Sequence, residues 1–160
     1  MAKEIKLTLG YKAIIDDDDY ARLGHLGWYA NEYKRKDGSV KVVYAVLCSG
    51  KFRLHRVILG IKDPYIEVDH RDGNGLNCQR NNLRVTNRAG NRQNSQKRLG
   101  CTSEYKGVSK LAGRDGWMSC IKVDGSSINL GSFGTQIEAA KAYNDAAIRY
   151  FGEFARLNYI

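Results

Sequence analysis

The stretch from Asp69 to Asn91 holds the residue types of a hydrolytic site. Asp69 and His70 are adjacent, Asn82 follows His70 by twelve residues, and Asn91 follows Asn82 by nine. Asp and Asn offer hard oxygen donors, which suit magnesium or manganese better than zinc. One carboxylate and one amide would leave several coordination positions to phosphate oxygens and water. A histidine that is neutral near pH 7 can take a proton from a water. Asn82 could accept a hydrogen bond from the other ring nitrogen and fix the imidazole. An oriented base, an activated water and a cation on the scissile phosphate and leaving oxygen are the parts that hydrolyse a phosphodiester.

For these four side chains to meet, the chain must double back twice. In "YIEVD" Ile66 and Val68 alternate with Tyr65, Glu67 and Asp69, which predicts a strand ending at Asp69-His70. Pro64, the one proline, favours an extended or turn conformation at Asp63. "RDGNG" carries turn chemistry, "NLRV" (Asn82–Val85) predicts a second strand, and Thr86 can cap a helix over about 87–96. The order is strand, glycine-rich loop, strand, helix.

The flanking segments read differently. Residues 1–50 are mostly strand with one short helix: "IKLTLG" and "YKAII" are β-like, and "KRKDGS" with "VKVVYAVLC" predicts a hairpin with an Asp-Gly turn. The four aspartates Asp16–Asp19 suit the positive end of a helix dipole, with a metal cluster as the competing reading. "SQKRLGCTS" is a polar linker or arm. Beyond it, "YKGVSKLAG", "GWMSCIKVDG" and "SSINLGSFG" are three strand-like runs with glycine at the turns. "TQIEAAKAYNDAAIRYFG" is helical, with a Thr135/Glu138 capping box and a stop at Gly152.

Charge is uneven along the 160 residues. The net charge is +9, and residues 51–100 alone carry 11 Lys/Arg against 4 Asp/Glu. A basic field concentrated around the Asp-His loop favours a polyanion there. Arg71, Arg84, Arg88 and Arg92 are the expected phosphate partners, with Arg88, Asn91, Arg92 and Ser95 on one helical face. The alternative for any one of them is a solvated surface charge. His55 either touches a phosphate or holds the loop from behind, the second being favoured, and His25 reads as a surface residue. Four widely spaced cysteines without a Cys-x-x-Cys pair read as reduced thiols, and no zinc is expected. No apolar run approaches a membrane span and no signal-peptide pattern opens the chain. The expected location is cytoplasmic, inside a cell or phage-encoded rather than secreted.

The residues "VDH" (Val68–His70), "NNL" (Asn81–Leu83) and the helical Asn91 of "RAGN" resemble the HNH, or ββα-metal, nuclease motif of the phage and homing-endonuclease branch, and "LHRVILG" resembles the segment preceding it. That resemblance implies Asp69 and Asn91 as metal ligands, His70 as general base and Asn82 as its support. It also implies a divalent cation, magnesium or alternatively manganese, and double-stranded DNA as substrate. Residues 105–159 resemble the APETALA2-type DNA-binding domain through "YKGV", Trp117, Ile121, "NLGSF", "T..EAA.AY..AA...FG" and "LNY". This family places a three-stranded antiparallel sheet in the major groove with one helix behind it. Ser109 stands where the plant domains have arginine, and Asn129 where they have a tryptophan.

The expected fold is therefore α+β: a β-rich N-terminal region leading into a ββα-metal nuclease over 1–96, a linker over 97–104, and a three-stranded sheet with one packed helix over 105–160. Lys97 and Arg98 on the arm, and Lys110, Arg114, Trp117, Ser119, Lys122 and Asn129 on the sheet, are the expected DNA contacts, Trp117 reading equally well as core. The rival reading is a DNA-binding regulator with an inactive nuclease fold. A metal-stabilised structural module is a third, which the cysteine spacing does not support. One active site per chain leaves nicking by a monomer and double-strand cleavage by a homodimer both open.

Overall fold

A computed structural model describes residues 1–50, 52–95, 97 and 100–160. Among these the chain is mixed α+β, with small antiparallel sheets and four α-helices, and it divides into two compact units, Met1–Asn87 and Arg88–Ile160. The expected α+β class is observed. No helix among the described residues is long and apolar enough to cross a membrane.

The first unit is three two-stranded hairpins and two short helices around one core. β1 (Ala2–Lys6) pairs antiparallel with β2 (Lys12–Asp16), and α1 (Asp17–Leu23) follows at once. Three aspartates fill the first turn of α1, where negative charge meets the positive end of the helix dipole. β3 (Trp28–Lys34) pairs with β4 (Val40–Leu47), and the Asp37-Gly38 turn between them has Gly38 at φ 82°. "LHRVIL", to which the periodicity assigns no element, forms α2 (Leu54–Leu59) and ends at Gly60, whose φ of 68° suits a left-handed cap. β5 (Glu67–His70) then pairs with β6 (Leu83–Thr86), placing Asp69 opposite Arg84 and His70 opposite Leu83. The core gathers Ile5, Ala13, Ile15, Leu23, Trp28, Ala45, Leu54, Ile58, Leu83 and, from the β5–β6 loop, Cys78, with Val68 of β5 packed against it. Removing this apolar surface from water is the main stabilising term.

The aspartate run has a structural role that only the fold reveals. Asp19 is 1% exposed, and both of its oxygens accept from Arg80, Oδ2 from Nε at 2.8 Å and Oδ1 from Nη2 at 2.9 Å, with Arg22 as a second partner. Burial works to raise the Asp19 pKa, but the hydrogen bonds from Arg80 and Arg22 hold it below the usual carboxylate value. Asp16 accepts from Gln79 and from the Arg80 backbone N–H at 2.8 Å. Arg80 also donates to the Ile58 carbonyl at 3.0 Å, so the segment ahead of β6 is tied to α1 and α2 together.

The second unit opens with α3 (Arg88–Gln93) and continues into an antiparallel sheet of β7 (Val108–Lys110), β8 (Trp117–Val123) and β9 (Ser126–Phe133) in that order. α4 (Gln136–Phe151) begins on the full Thr135/Glu138 capping box. Its small residues Ala139, Ala140, Ala146 and Ala147, with Tyr143 and Phe151, pack on Val108, Ile121 and the half-buried Trp117, Leu130 and Phe133. Gly107 allows this close approach: at φ +77°, a Cβ there would lie 2.0 Å from the Tyr143 ring. The "LNY" tail is anchored by Asn158, which bonds Lys106 on both sides and the Asn144 amide.

Candidate active site

The loop from Arg71 to Asn82 explains the spacing of its asparagines. Asp72, Asn74 and Asn77 each accept a backbone N–H two residues on, from Asn74 at 2.8 Å, Leu76 at 3.1 Å and Gln79 at 3.4 Å. These are successive Asx turns, the local structure that short polar side chains favour. Gly75 lets the loop lie on β4, since a Cβ there would be 2.4 Å from the Val43 carbonyl oxygen. Asn82 closes the loop. Its Nδ2 donates to Asp72 Oδ1 at 3.0 Å and to the Asn77 carbonyl at 2.8 Å, and its Oδ1 accepts from the Asp72 backbone N–H at 3.1 Å. Its backbone carbonyl accepts from the Arg71 N–H at 2.9 Å, immediately beside His70. Asn82 thus holds the turn that carries the histidine.

His70 is 5% exposed and shares a strand face with Val68, which packs on the core. Its ring lies edge-on to His55 with centroids 4.9 Å apart, near Tyr44 at 5.9 Å, and its Nε2 is 4.0 Å from Cys78 Sγ. Burial lowers the His70 pKa to about 4 against the opposing pull of Asp72 and Asp69. Burial also lowers His55 to about 3, with His70, Arg53 and Arg56 adding to the effect. Both rings are therefore neutral at pH 7. Cys78 is a protonated thiol, pushed up to about 12 by burial and the Asp72 charge.

Asp69 and Arg84 face one another across the β5–β6 ladder, both buried at 6% exposure, and pair through Asp69 Oδ2. Arg84, expected as a phosphate contact, is thus a buried partner of the expected metal ligand. The strand does not show the simple in-out alternation read from its sequence, because Asp69 and His70 are both buried. Asp69 remains a hard oxygen donor whose chemistry fits a divalent cation of the magnesium type.

The other expected residues are distributed as follows. Asn91 is half-buried on α3, with Arg88 and Arg92 exposed on the same helix, and Arg71 is exposed. Lys97 is half-buried, and Arg98 lies outside the described residues. Lys110, Arg114, Lys122 and Asn129 are exposed on the second unit, whereas Trp117 packs against α4 and Ser119 is fully buried. Asn129 Oδ1 accepts from the Gly131 N–H at 2.9 Å. Lys106, which the sequence reading passed over, donates to the Gln93 carbonyl at 2.6 Å at the end of α3, and burial lowers its pKa to about 8. His55 and Cys78 were legible only as a histidine behind the loop and a reduced thiol; nothing in their spacing pairs them with His70.

No protein-family model matches the chain, and no solved structure matches it. It is 37% identical over 116 residues to a protein named as an uncharacterized HNH endonuclease of Acanthamoeba polyphaga mimivirus. The match covers 69% of this chain but 59% of the viral protein, so the chain spans well under two thirds of that relative's length. This likeness supports an HNH family for the chain.

Proposed function

We propose that the protein is a metal-dependent endonuclease acting on double-stranded DNA. The observation that carries the reading is the Asp69-His70 pair at the end of β5, held by a loop that Asn82 locks to β6. Asp69 and the α3 residue Asn91 would hold a divalent cation, magnesium or manganese, which supplies electrostatic stabilisation of the scissile phosphate and leaving oxygen. A neutral His70 imidazole nitrogen accepts a proton from the attacking water. Asn82 is a positioning residue, fixing the turn behind His70. The exposed Arg71, Arg88 and Arg92 bind the phosphate backbone, and the second unit, an APETALA2-type sheet in this reading, contributes sequence choice through Lys122 and Asn129.

A second reading, a DNA-binding regulator with a silent nuclease fold, is favoured by one observation, the engagement of Asp69 by Arg84. Supercoiled plasmid incubated with protein and magnesium, with and without chelator, separates the two. The nuclease reading expects nicking or linearisation that chelator stops. It also expects His70→Ala to lose cleavage while retaining DNA binding in a gel-shift assay. Equal cleavage by the variant would remove His70 from its role.

A further inference from the structure

His55, His70 and Cys78 come from α2, the end of β5 and the loop between β5 and β6, and their ligand atoms all lie within 4.8 Å of one another. All three are buried, at 4%, 5% and 0% exposure. We infer that this trio is a binding site for a soft or borderline divalent ion of the zinc type, distinct from the hard-cation site at Asp69.

The donor set is the first argument. Two imidazoles and a thiol select zinc-like ions over magnesium, which prefers oxygen. The second is an unmet polar atom: Nδ1 of His55 is buried and has no hydrogen-bond partner among the described residues. Such an atom ordinarily costs folding free energy and calls for an explanation. The third is the setting of the sulfur. Cys78 Sγ is held 3.8 Å from the Gly75 carbonyl oxygen and 4.0 Å from His70 Nε2, inside the loop that the successive Asx turns fix. Bound as two neutral imidazoles and one thiolate, a divalent ion leaves a single positive charge for Asp72 to offset. The fourth is distance. Tetrahedral zinc with the usual bond lengths sets sulfur and nitrogen roughly 3.5 Å apart. The observed separation of Cys78 Sγ and His70 Nε2 is 4.0 Å, so the site closes by about half an ångström. On binding, the Sγ–H bond breaks, the proton leaves to solvent, and the sulfur–metal bond forms. Three protein donors leave one coordination position. Because His70 is shared, an ion here occupies the lone pair that the nuclease reading needs; that consequence alone rests on the nuclease reading.

The test uses the full chain stripped of metal by chelation and titrated with Co²⁺ under reducing conditions. Cobalt bound through a thiolate gives a sulfur-to-metal charge-transfer band in the near ultraviolet, whereas cobalt on carboxylate and amide oxygens gives none. The band is expected to saturate at about one equivalent, as for a single site of three protein donors with one open position, and to be displaced by Zn²⁺. It should persist when Cys48, Cys101 and Cys120 are all replaced by serine, disappear in Cys78→Ser, and need at least about tenfold more cobalt in His55→Ala, since even losing a partner that only supports a ligand costs about that much. No band in the unaltered chain, a band that survives Cys78→Ser, or unchanged affinity in His55→Ala overturns the inference. Magnesium-dependent plasmid cleavage by the same stripped protein reports on the nuclease reading separately.

Discussion

Replacing Asn82 by aspartate or by alanine tests whether this side chain positions the histidine turn. Asn82 is 8% exposed and makes three side-chain hydrogen bonds, at 2.8, 3.0 and 3.1 Å. At about 0.5–1.5 kcal/mol net each, with partial rehydration of the exposed Asp72, Asn82→Ala should cost about 2–3 kcal/mol. Asn82→Asp keeps the acceptor but replaces both donors with a charged oxygen facing Asp72 Oδ1. The added repulsion, discounted because Asp72 is exposed, is about 1–2 kcal/mol at pH 7. Asp72 and the carboxylate introduced by Asn82→Asp then titrate as a pair with a raised pKa in the folded state. The penalty is full above that pKa and shrinks as pH falls through it, because one carboxyl protonates and donates to the other. Urea unfolding followed by the buried Trp28, with Trp117 replaced by Phe to silence the second unit, reads both effects. The aspartate variant should be the less stable at pH 7 and should approach the alanine variant near pH 5. A gap between the two variants that does not change with pH would refute this account of Asn82.

Two further outcomes follow from the same geometry. Acid should destabilise the first unit: His55 and His70 are held neutral with pKa values of about 3 and 4, below the ordinary 6.5. The unfolded chain therefore takes up protons that the folded one does not, and stability falls from about pH 6.5 down to about pH 3 before levelling. Urea midpoints measured across that range should drop, and a flat profile would contradict the buried, neutral pair. In the second unit, Gly107→Ala should cost about 1–3 kcal/mol from overpacking, with added backbone strain at φ +77°. Trp117 fluorescence should report lower stability there, while Trp28 reports no change.

Some elements were legible because their causes are local. The Asp-Gly turn, the strand ending at Asp69-His70, the "NLRV" strand and the Thr135/Glu138 capping box follow from the residues themselves. Boundaries shifted by a few residues: the helix expected over 87–96 is Arg88–Gln93. α2 was missed because six residues without a side-chain cap carry too little periodicity to declare a helix. Ser119, expected on the sheet's reading face, is fully buried. Strand alternation puts its neighbours on opposite faces, and the register across β8 is what decides which face α4 covers.

The amino-acid sequence alone determined the chemistry available: hard oxygen donors beside a histidine, Asx-rich turns, and a basic middle segment. It did so because turns, caps and strand ends are set by contacts a few residues apart. Only the tertiary structure decided which groups share a charge or a proton. It gave Asp19 to Arg80, sixty-one residues away, set Arg84 against Asp69, and closed His55 and Cys78 around His70. Those pairings depend on which faces are buried together, and burial is a property of the packed core rather than of any one segment.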